Sequence, residues 1–364
     1  MEKDSHELDK YSLANKKFGD FFSEGLNLFG KNYGKIIIPF IIFLVISNLL
    51  IVFLLTDLRW LANTFTAQLD PILDKMLTAP DTVTEQDMII VLQSMLVEIG
   101  VSGLAGIIGA LFTVIAMSSV GKYLHEKYLY GNADFSKEFK KAFNKKMILP
   151  IVILGLCVPT GTFFMLFIPG ILIFYYYIFL FYTYDNKDIK NPTKETRVIV
   201  KGNFWSIIGV FIISVFITTL VSTPIDYVLT FAWNIDAATY STWLNPATRN
   251  YPLLILYQLS NDIVGILLSP LFICLLTPLF VTSKARYDLG YQKGYYPQRI
   301  RYGEEPVPYS SYPRESESSS SFDEVELVAK VSEVKEGMYC PFCGAYIKTP
   351  KKFCVKCGES LQFN

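Results

Sequence analysis

Residues 147–184 read MILPIVILGLCVPTGTFFMLFIPGILIFYYYIFLFYTY, 38 consecutive positions without a charge. As one helix rising 1.5 Å per residue, the stretch would be about 57 Å long. The hydrocarbon core of a bilayer is only about 30 Å thick. The segment is therefore too long for one crossing and suits two short ones. Pro159 with Gly161, or Pro169 with Gly170, offers the break, since proline removes a helical hydrogen bond and clashes with the preceding turn.

The same reading extends outward to the rest of the chain. Ile36 to Thr56 is an uncharged run between Lys35 and Asp57. It is longer than the apolar stretch of a signal peptide, and no small-residue cleavage site follows it. A second span lies within Met88–Val120, centred on Ile99–Ser119. The fifth is expected at about Phe204–Val221 and the sixth at about Ile263–Val281. Six crossings put both termini on one side. Lys and Arg number six in 1–35, seven in 121–147, five in 184–203 and five in 284–301, against Arg59, Lys75 and Arg249 on the other side. The positive-inside rule places the rich side, and both termini, in the cytoplasm of a cell-membrane protein.

Composition agrees. The 364 residues are 51% hydrophobic and only 18% charged, with 33 Lys+Arg balancing 33 Asp+Glu, and the mean hydropathy is +0.33. A soluble domain carries about 25% charge. Zero net charge excludes a strongly basic nucleic-acid binder and a disordered polyanion as whole-chain readings.

Short basic amphipathic segments precede three of the spans. Phe18, Phe21, Phe22 and Phe29 share one helical stripe ahead of the first. Phe135, Phe139 and Phe143 recur every four residues among Lys140, Lys141, Lys145 and Lys146 ahead of the third. Asn191-Pro192-Thr193 reads as a capped helix start ahead of the fifth. The pattern predicts three hairpins, each led by an in-plane helix with aromatics in the acyl boundary and lysines toward anionic headgroups. Such helices serve as depth-setting anchors or, less favoured, as a lipid-recognition surface.

Ionisable residues within spans are costly and often mark transport paths. The candidates are Glu98, Asp226 and Asp262, all near outer ends. Asn48 is the strongly polar residue near the middle of the first span. It is expected to hydrogen-bond across helices, with a place on a substrate path as the competing reading. Gly103, Gly106 and Gly109 recur every three residues and suit close helix packing, with pore lining the lesser alternative. The acidic outer stretch 57–98 reads as a solvated cap. Only His6 and His125 occur, the latter in a basic cytoplasmic segment. No P-loop, dinucleotide fingerprint or nucleophile elbow is present. A catalytic role is not expected.

After the last span, Tyr and Pro dominate 287–313, and a Ser/Glu-rich tract covers 314–321. Such composition cannot bury enough apolar surface to fold, so 284–337 reads as a linker. Then Cys340-Pro-Phe-Cys343-Gly is followed, after ten residues, by Cys354-Val-Lys-Cys357-Gly. Two paired knuckles can present four thiolates in a tetrahedron, the preference of structural zinc. A reducing cytoplasm disfavours disulfides. Cys340, Cys343, Cys354 and Cys357 are therefore the expected ligands of one Zn2+ ion. Four thiolates leave no open position, which makes the metal structural, and it supplies most of the folding energy of so short a module. Cys157 and Cys274 stand alone within spans and read as apolar packing.

Residues 338–361, with Phe353 before Cys354, resemble the short zinc-ribbon family found at the ends of many prokaryotic membrane proteins. The resemblance implies a fold and a metal but no particular partner. Lys348, Lys351, Lys352 and Lys356 give the module a basic face, yet a nucleic-acid role is disfavoured against protein docking. The membrane region is also similar to a known group. Phe29 with Lys31-Asn32-Tyr33, Phe167-Ile168-Pro169-Gly170-Ile171, Lys201-Gly202-Asn203-Phe204-Trp205 and Ala285-Arg286-Tyr287-Asp288 carry that resemblance over roughly residues 15–290. The group is the six-helix membrane domain associated with glycerophosphodiester phosphodiesterases and its stand-alone relatives of unknown function. The catalytic barrel of the fused enzymes has no counterpart here, so that hydrolase activity is not implied.

The expected organisation is thus a cytoplasmic N-terminal segment (1–35), an all-α six-span membrane domain (36–283), a linker (284–337) and a small β zinc ribbon (338–364). The leading functional expectation is a non-enzymatic membrane scaffold or adaptor, seated in the lipid bilayer and docking a cytoplasmic protein through the ribbon. The alternatives are a transporter, flippase-like protein or channel with Asn48, Glu98 and Asp262 near its path, and an accessory protein of membrane lipid metabolism.

Overall fold

The computed structural model describes residues 10–164, 167–185, 189, 191–290, 338–339 and 346–347. The chain divides into two compact units, Met1–Pro306 and Val307–Asn364. The described residues of the first unit form helices joined by short connections. Five of its helices are long and apolar enough to cross a membrane, and a sixth apolar segment, Ile168–Thr183, is shorter.

Helix α1 (Phe18–Thr78) runs 61 residues without interruption, about 90 Å of rise. Pro39 and Pro71 lie inside it. The in-plane helix expected ahead of the first span is therefore not a separate element. Phe21 is buried, and Gly25 lies so close to the last helix that a Cβ there would stand 2.8 Å from the Leu275 Cα. Packing holds 18–35 in line with the span, where an interfacial helix would have to turn aside. A tight turn through Pro80–Thr82 leads to α2 (Glu85–Tyr130). Thr84 and Asp87 form a reciprocal capping box at its start, and Gly131 ends it in the left-handed conformation at φ 70°. The stretch 57–98 is thus mostly continuous helix. It is not simply an acidic cap, because Met88, Leu92, Met95, Leu96 and Ile99 are exposed along one face of α2.

The other two lead-in helices are separate. Asp134 caps α3 (Phe135–Ala142) by accepting from the Lys137 amide. The uncharged stretch then forms α4 (Ile148–Pro150, π-helical Ile151–Cys157, Val158–Phe164) and α5 (Ile168–Tyr177, continued by Leu180–Thr183). The break falls between the two proline–glycine pairs. Pro159 stays helical, Phe167 takes φ 65°, and Pro169 sits in the first turn of α5. Gly161 and Gly170 allow the hairpin to close. A Cβ on Gly170 would lie 2.6 Å from the Thr162 amide nitrogen, too close for any larger residue.

Helix α6 (Pro192–Val200) is capped by Asn191, with proline in its first turn. Helix α7 (Phe204–Trp233) extends well past the expected end at Val221. A short α8 (Ala237–Leu244) leads to α9 (Tyr251–Leu268), which passes through Ser269 directly into α10 (Pro270–Asp288). Helix α10 is the post around which the rest packs. Ile273, Cys274, Leu275, Leu276 and Leu279 are fully buried, together with Phe40 of α1, Tyr123 and Leu124 of α2 and Phe179 beside α5.

Several residues of the short segments quoted above hold these helices together. Tyr123 donates to Asn32 Oδ1 at 2.9 Å, while Asn32 Nδ2 donates to Leu28 O at 2.9 Å. Arg286 donates to the carbonyls of Ala14 and Lys16, each at 2.8 Å, and to Asn203 Oδ1 at 3.3 Å. Lys122 of α2 pairs with Glu138 of α3 at 3.7 Å and with Asp185, just past α5, at 3.0 Å. The His125 ring lies 5.5 Å from Phe280 and 6.4 Å from Tyr182. Burial of this part of α2 against α10 draws the imidazole inside.

In the second unit, β1 (Met338–Tyr339) and β2 (Tyr346–Ile347) pair antiparallel, Met338 with Ile347 and Tyr339 with Tyr346. Cys340, Cys343, Cys354 and Cys357 lie outside the described residues, as do most of the expected linker and its Ser/Glu tract.

Candidate binding site between the helices

A chamber of about 670 Å³ opens among α1, α2, α4, α5, α7, α9 and α10. Its volume falls within the range of about 300–1,000 Å³ usual for small-molecule sites. Local sequence explains the space. Gly106 and Gly109 of α2 present no side chain to it, and a Cβ on Gly109 would meet nothing within 4 Å. Gly106 also serves packing, since a Cβ there would lie 2.6 Å from the Phe163 ring. Across the chamber, α4 is π-helical through Ile151–Cys157 and places Leu154, Val158 and Pro159 in the wall. A π-helical turn is wider than an α-turn and recurs at functional sites.

The wall is graded in polarity. Toward the lysine-rich end, Phe174, Phe211 and Phe272 line it, with ring centroids 5.5–6.2 Å apart. In the middle stand Ser47 and Asn48 of α1 and Ser214 of α7, all more than nine-tenths buried. None of these three has a hydrogen-bond partner among the described residues. By contrast, the hydroxyls of Thr113, Thr162 and Ser269 bond carbonyls of their own helices. Toward the end bearing the α1–α2 turn lie Thr218 and Asp262. Asp262 is the one ionisable residue lining the chamber among the described residues. Its Oδ2 accepts from Gln258 Nε2 at 2.7 Å, and Gln258 Oε1 accepts from Arg59 Nη1 at 3.0 Å.

Two of the residues marked in the sequence, Asn48 and Asp262, therefore meet at one site. The expected bond from Asn48 to a neighbouring helix is not formed, because small residues face it across the chamber. Glu98 and Asp226 are not in the wall. Glu98 is exposed on α2. Asp226 lies further along α7 at the helical spacing 214, 218, 222, 226, and its Oδ1 is buried without a partner among the described residues. Sequence reasoning missed Ser47, Ser214, Gln258 and Arg59. The i, i+4 repeat of Ser214 and Thr218 was the available signal for α7. Arg59 was visible only as a charge to be counted, because its link to Asp262 runs through a residue 199 positions away.

Among the described residues, no three His, Cys, Asp or Glu side chains stand close enough to hold a metal ion. Cys274 is buried and Cys157 partly so, both as free thiols. The chain matches no family model, no curated protein and no solved structure.

Proposed function

We propose that this is a multi-pass membrane protein whose helices bind and move an amphiphilic, lipid-like molecule, in the manner of a transporter or flippase. The observation that carries this reading is the chamber, aromatic at one end and lined by unpartnered buried polar groups in its middle. The Asn48 amide and the Ser47 and Ser214 hydroxyls face the chamber, where a ligand could hydrogen-bond to them. The test is transfer of a fluorescent phospholipid analogue between leaflets of proteoliposomes. The protein should accelerate transfer, and Asn48→Leu, which removes the amide from the chamber wall, should abolish it. A wild-type protein that moves no member of a broad lipid panel overturns the reading. On this proposal the lysine-rich ends of the helices, with both termini, face the cytoplasm of the cell membrane.

A second reading, a scaffold that docks a cytoplasmic protein, is supported by the β1–β2 pair, which brackets Cys340 and Cys343 in sequence as a zinc-ribbon hairpin would. With Cys354 and Cys357 these would hold one structural Zn2+ ion. One bound zinc per chain is expected, and loss of it in Cys354→Ser/Cys357→Ser. Crosslinking followed by mass spectrometry should then capture a cytoplasmic protein on wild type alone. Identical captures from both would set docking aside. The resemblance to the six-helix domain of the phosphodiesterase group favours a setting in membrane lipid metabolism, and an unchanged lipid profile in a deletion strain would count against it.

A further inference from the structure

We infer that the molecule held in the chamber carries an ammonium group, seated at the Asp262 carboxylate, with its apolar chain running toward Phe174, Phe211 and Phe272. The inference rests on the amphiphile reading above and adds the chemistry of the polar end.

The charge distribution carries it. Asp262 is the single ionisable side chain in the chamber wall among the described residues, and no Lys, Arg or His stands with it. Its neighbour Gln258 is interposed between it and Arg59, so the carboxylate has no direct ion pair. Gln258 occupies Oδ2 alone, and Oδ1 has no partner among the described residues. Asp262 is partly exposed, so its free oxygen is open to a ligand entering the chamber, and the carboxylate is the charge such a ligand meets first. A fatty carboxylate or an unpaired phosphate would meet like charge here, whereas a charge-assisted N–H···O bond to an ammonium is the favourable pairing.

The polarity of the wall sets the orientation. Asp262 begins the run that leads through Gly265 and Ser269 to Phe272, ten residues along nearly continuous helix, or about 15 Å. Over that depth the wall passes from carboxylate, through the unpartnered Asn48, Ser47 and Ser214, to three phenylalanine rings. An amine-headed chain with a hydroxyl or amide a few bonds from its nitrogen matches this order. Both a membrane aminolipid and a free long-chain amine have that chemistry.

The test uses full-length protein in phosphatidylcholine vesicles and photoactivatable probes of one chain length ending in amine, alcohol or carboxylate. Crosslinked peptides are then read by mass spectrometry. The amine should label peptides of α1, α7 and α9–α10 about tenfold more than the alcohol, with the carboxylate weakest. Asp262→Asn keeps the size of the side chain and an oxygen for Gln258. It should erase the preference of amine over alcohol while leaving alcohol labelling intact. Equal labelling by amine and alcohol in wild type, or a preference that survives Asp262→Asn, overturns the inference. Absence of chamber labelling by every probe means instead that the amphiphile reading itself has failed. Photoactivatable phosphatidylethanolamine in the same vesicles separates the sources: labelling sensitive to Asp262→Asn identifies a membrane aminolipid, and its absence beside a labelling free amine identifies the free amine.

Discussion

Asn32 and Tyr123 lie 91 positions apart, yet each satisfies the other inside the bundle. Deleting only the phenol oxygen should leave the Asn32 carbonyl buried without its partner. Tyr123→Phe is expected to lower stability by about 1 kcal/mol, read as a shift in the unfolding midpoint in detergent. A residue on a short connecting helix should show a pH effect of definite sign. Burial raises the Glu195 carboxyl above its ordinary value near 4.5, with Lys284 opposing and Asp288 reinforcing the rise. A raised folded-state value means that the protonated form is the better buried one. Its contribution to stability is therefore present below about pH 4.5 and is lost as pH climbs through the folded-state value. Melting curves from pH 4 to 7 should show Glu195→Gln losing less stability with rising pH than wild type. A parallel decline in both would remove Glu195 from the account.

At the scale of the helix, glycines separate into those that permit contact and those that merely occupy a turn. Gly25 faces α10 with no room for a Cβ, whereas Gly30 of the same helix is open to the surroundings. Gly25→Ala should destabilise by about 1–3 kcal/mol through overpacking against the Leu275 backbone. Gly30→Ala should be neutral or gain up to about 1 kcal/mol of helix propensity. Thermal unfolding of the two variants side by side tests the packing of α1 against α10. A similar loss in both would mean that the close approach does not form. Element existence was legible in the sequence because uncharged runs of membrane length are unmistakable. Element ends were not. Helices α1 and α2 continue past the apolar runs on mixed polar and apolar residues, and α7 continues through Pro224 and Asp226 to Trp233. The two proline–glycine pairs bracket the break between α4 and α5, and which of them the chain uses was not legible, because the close approach of Gly161 and Gly170 forms only in the folded hairpin.

At the scale of the molecule, the arrangement predicts a labelling pattern. With Thr82 at the α1–α2 turn and Asn132 beyond α2, single cysteines at these exposed sites should lie on opposite sides of the membrane. An impermeant maleimide added to intact cells should label Thr82→Cys at once and Asn132→Cys only after permeabilisation. The reverse pattern would invert the topology drawn from the lysine counts. Five long apolar helices together with the shorter Ile168–Thr183 are compatible with an even number of crossings. What 24 Å or so of helix does in a hydrocarbon core about 30 Å thick is set by its tight pairing with α4.

The apolar runs, the charge asymmetry between their flanks, the helix cap at Asn191 and the four spaced cysteines were all readable in order along the chain. They depend on local composition, and local composition is what a sequence displays. The chamber was not readable. It exists because α2 offers glycines where α1 offers Ser47 and Asn48, because α4 widens into a π-helical turn opposite them, and because α9 brings Asp262 to the rim with Gln258 and Arg59 behind it. Each of those residues has an ordinary explanation taken alone. Only the packing of distant helices puts an unpartnered amide, a carboxylate and three phenylalanine rings around one space, since side chains separated by hundreds of positions acquire a common environment only when the chain folds.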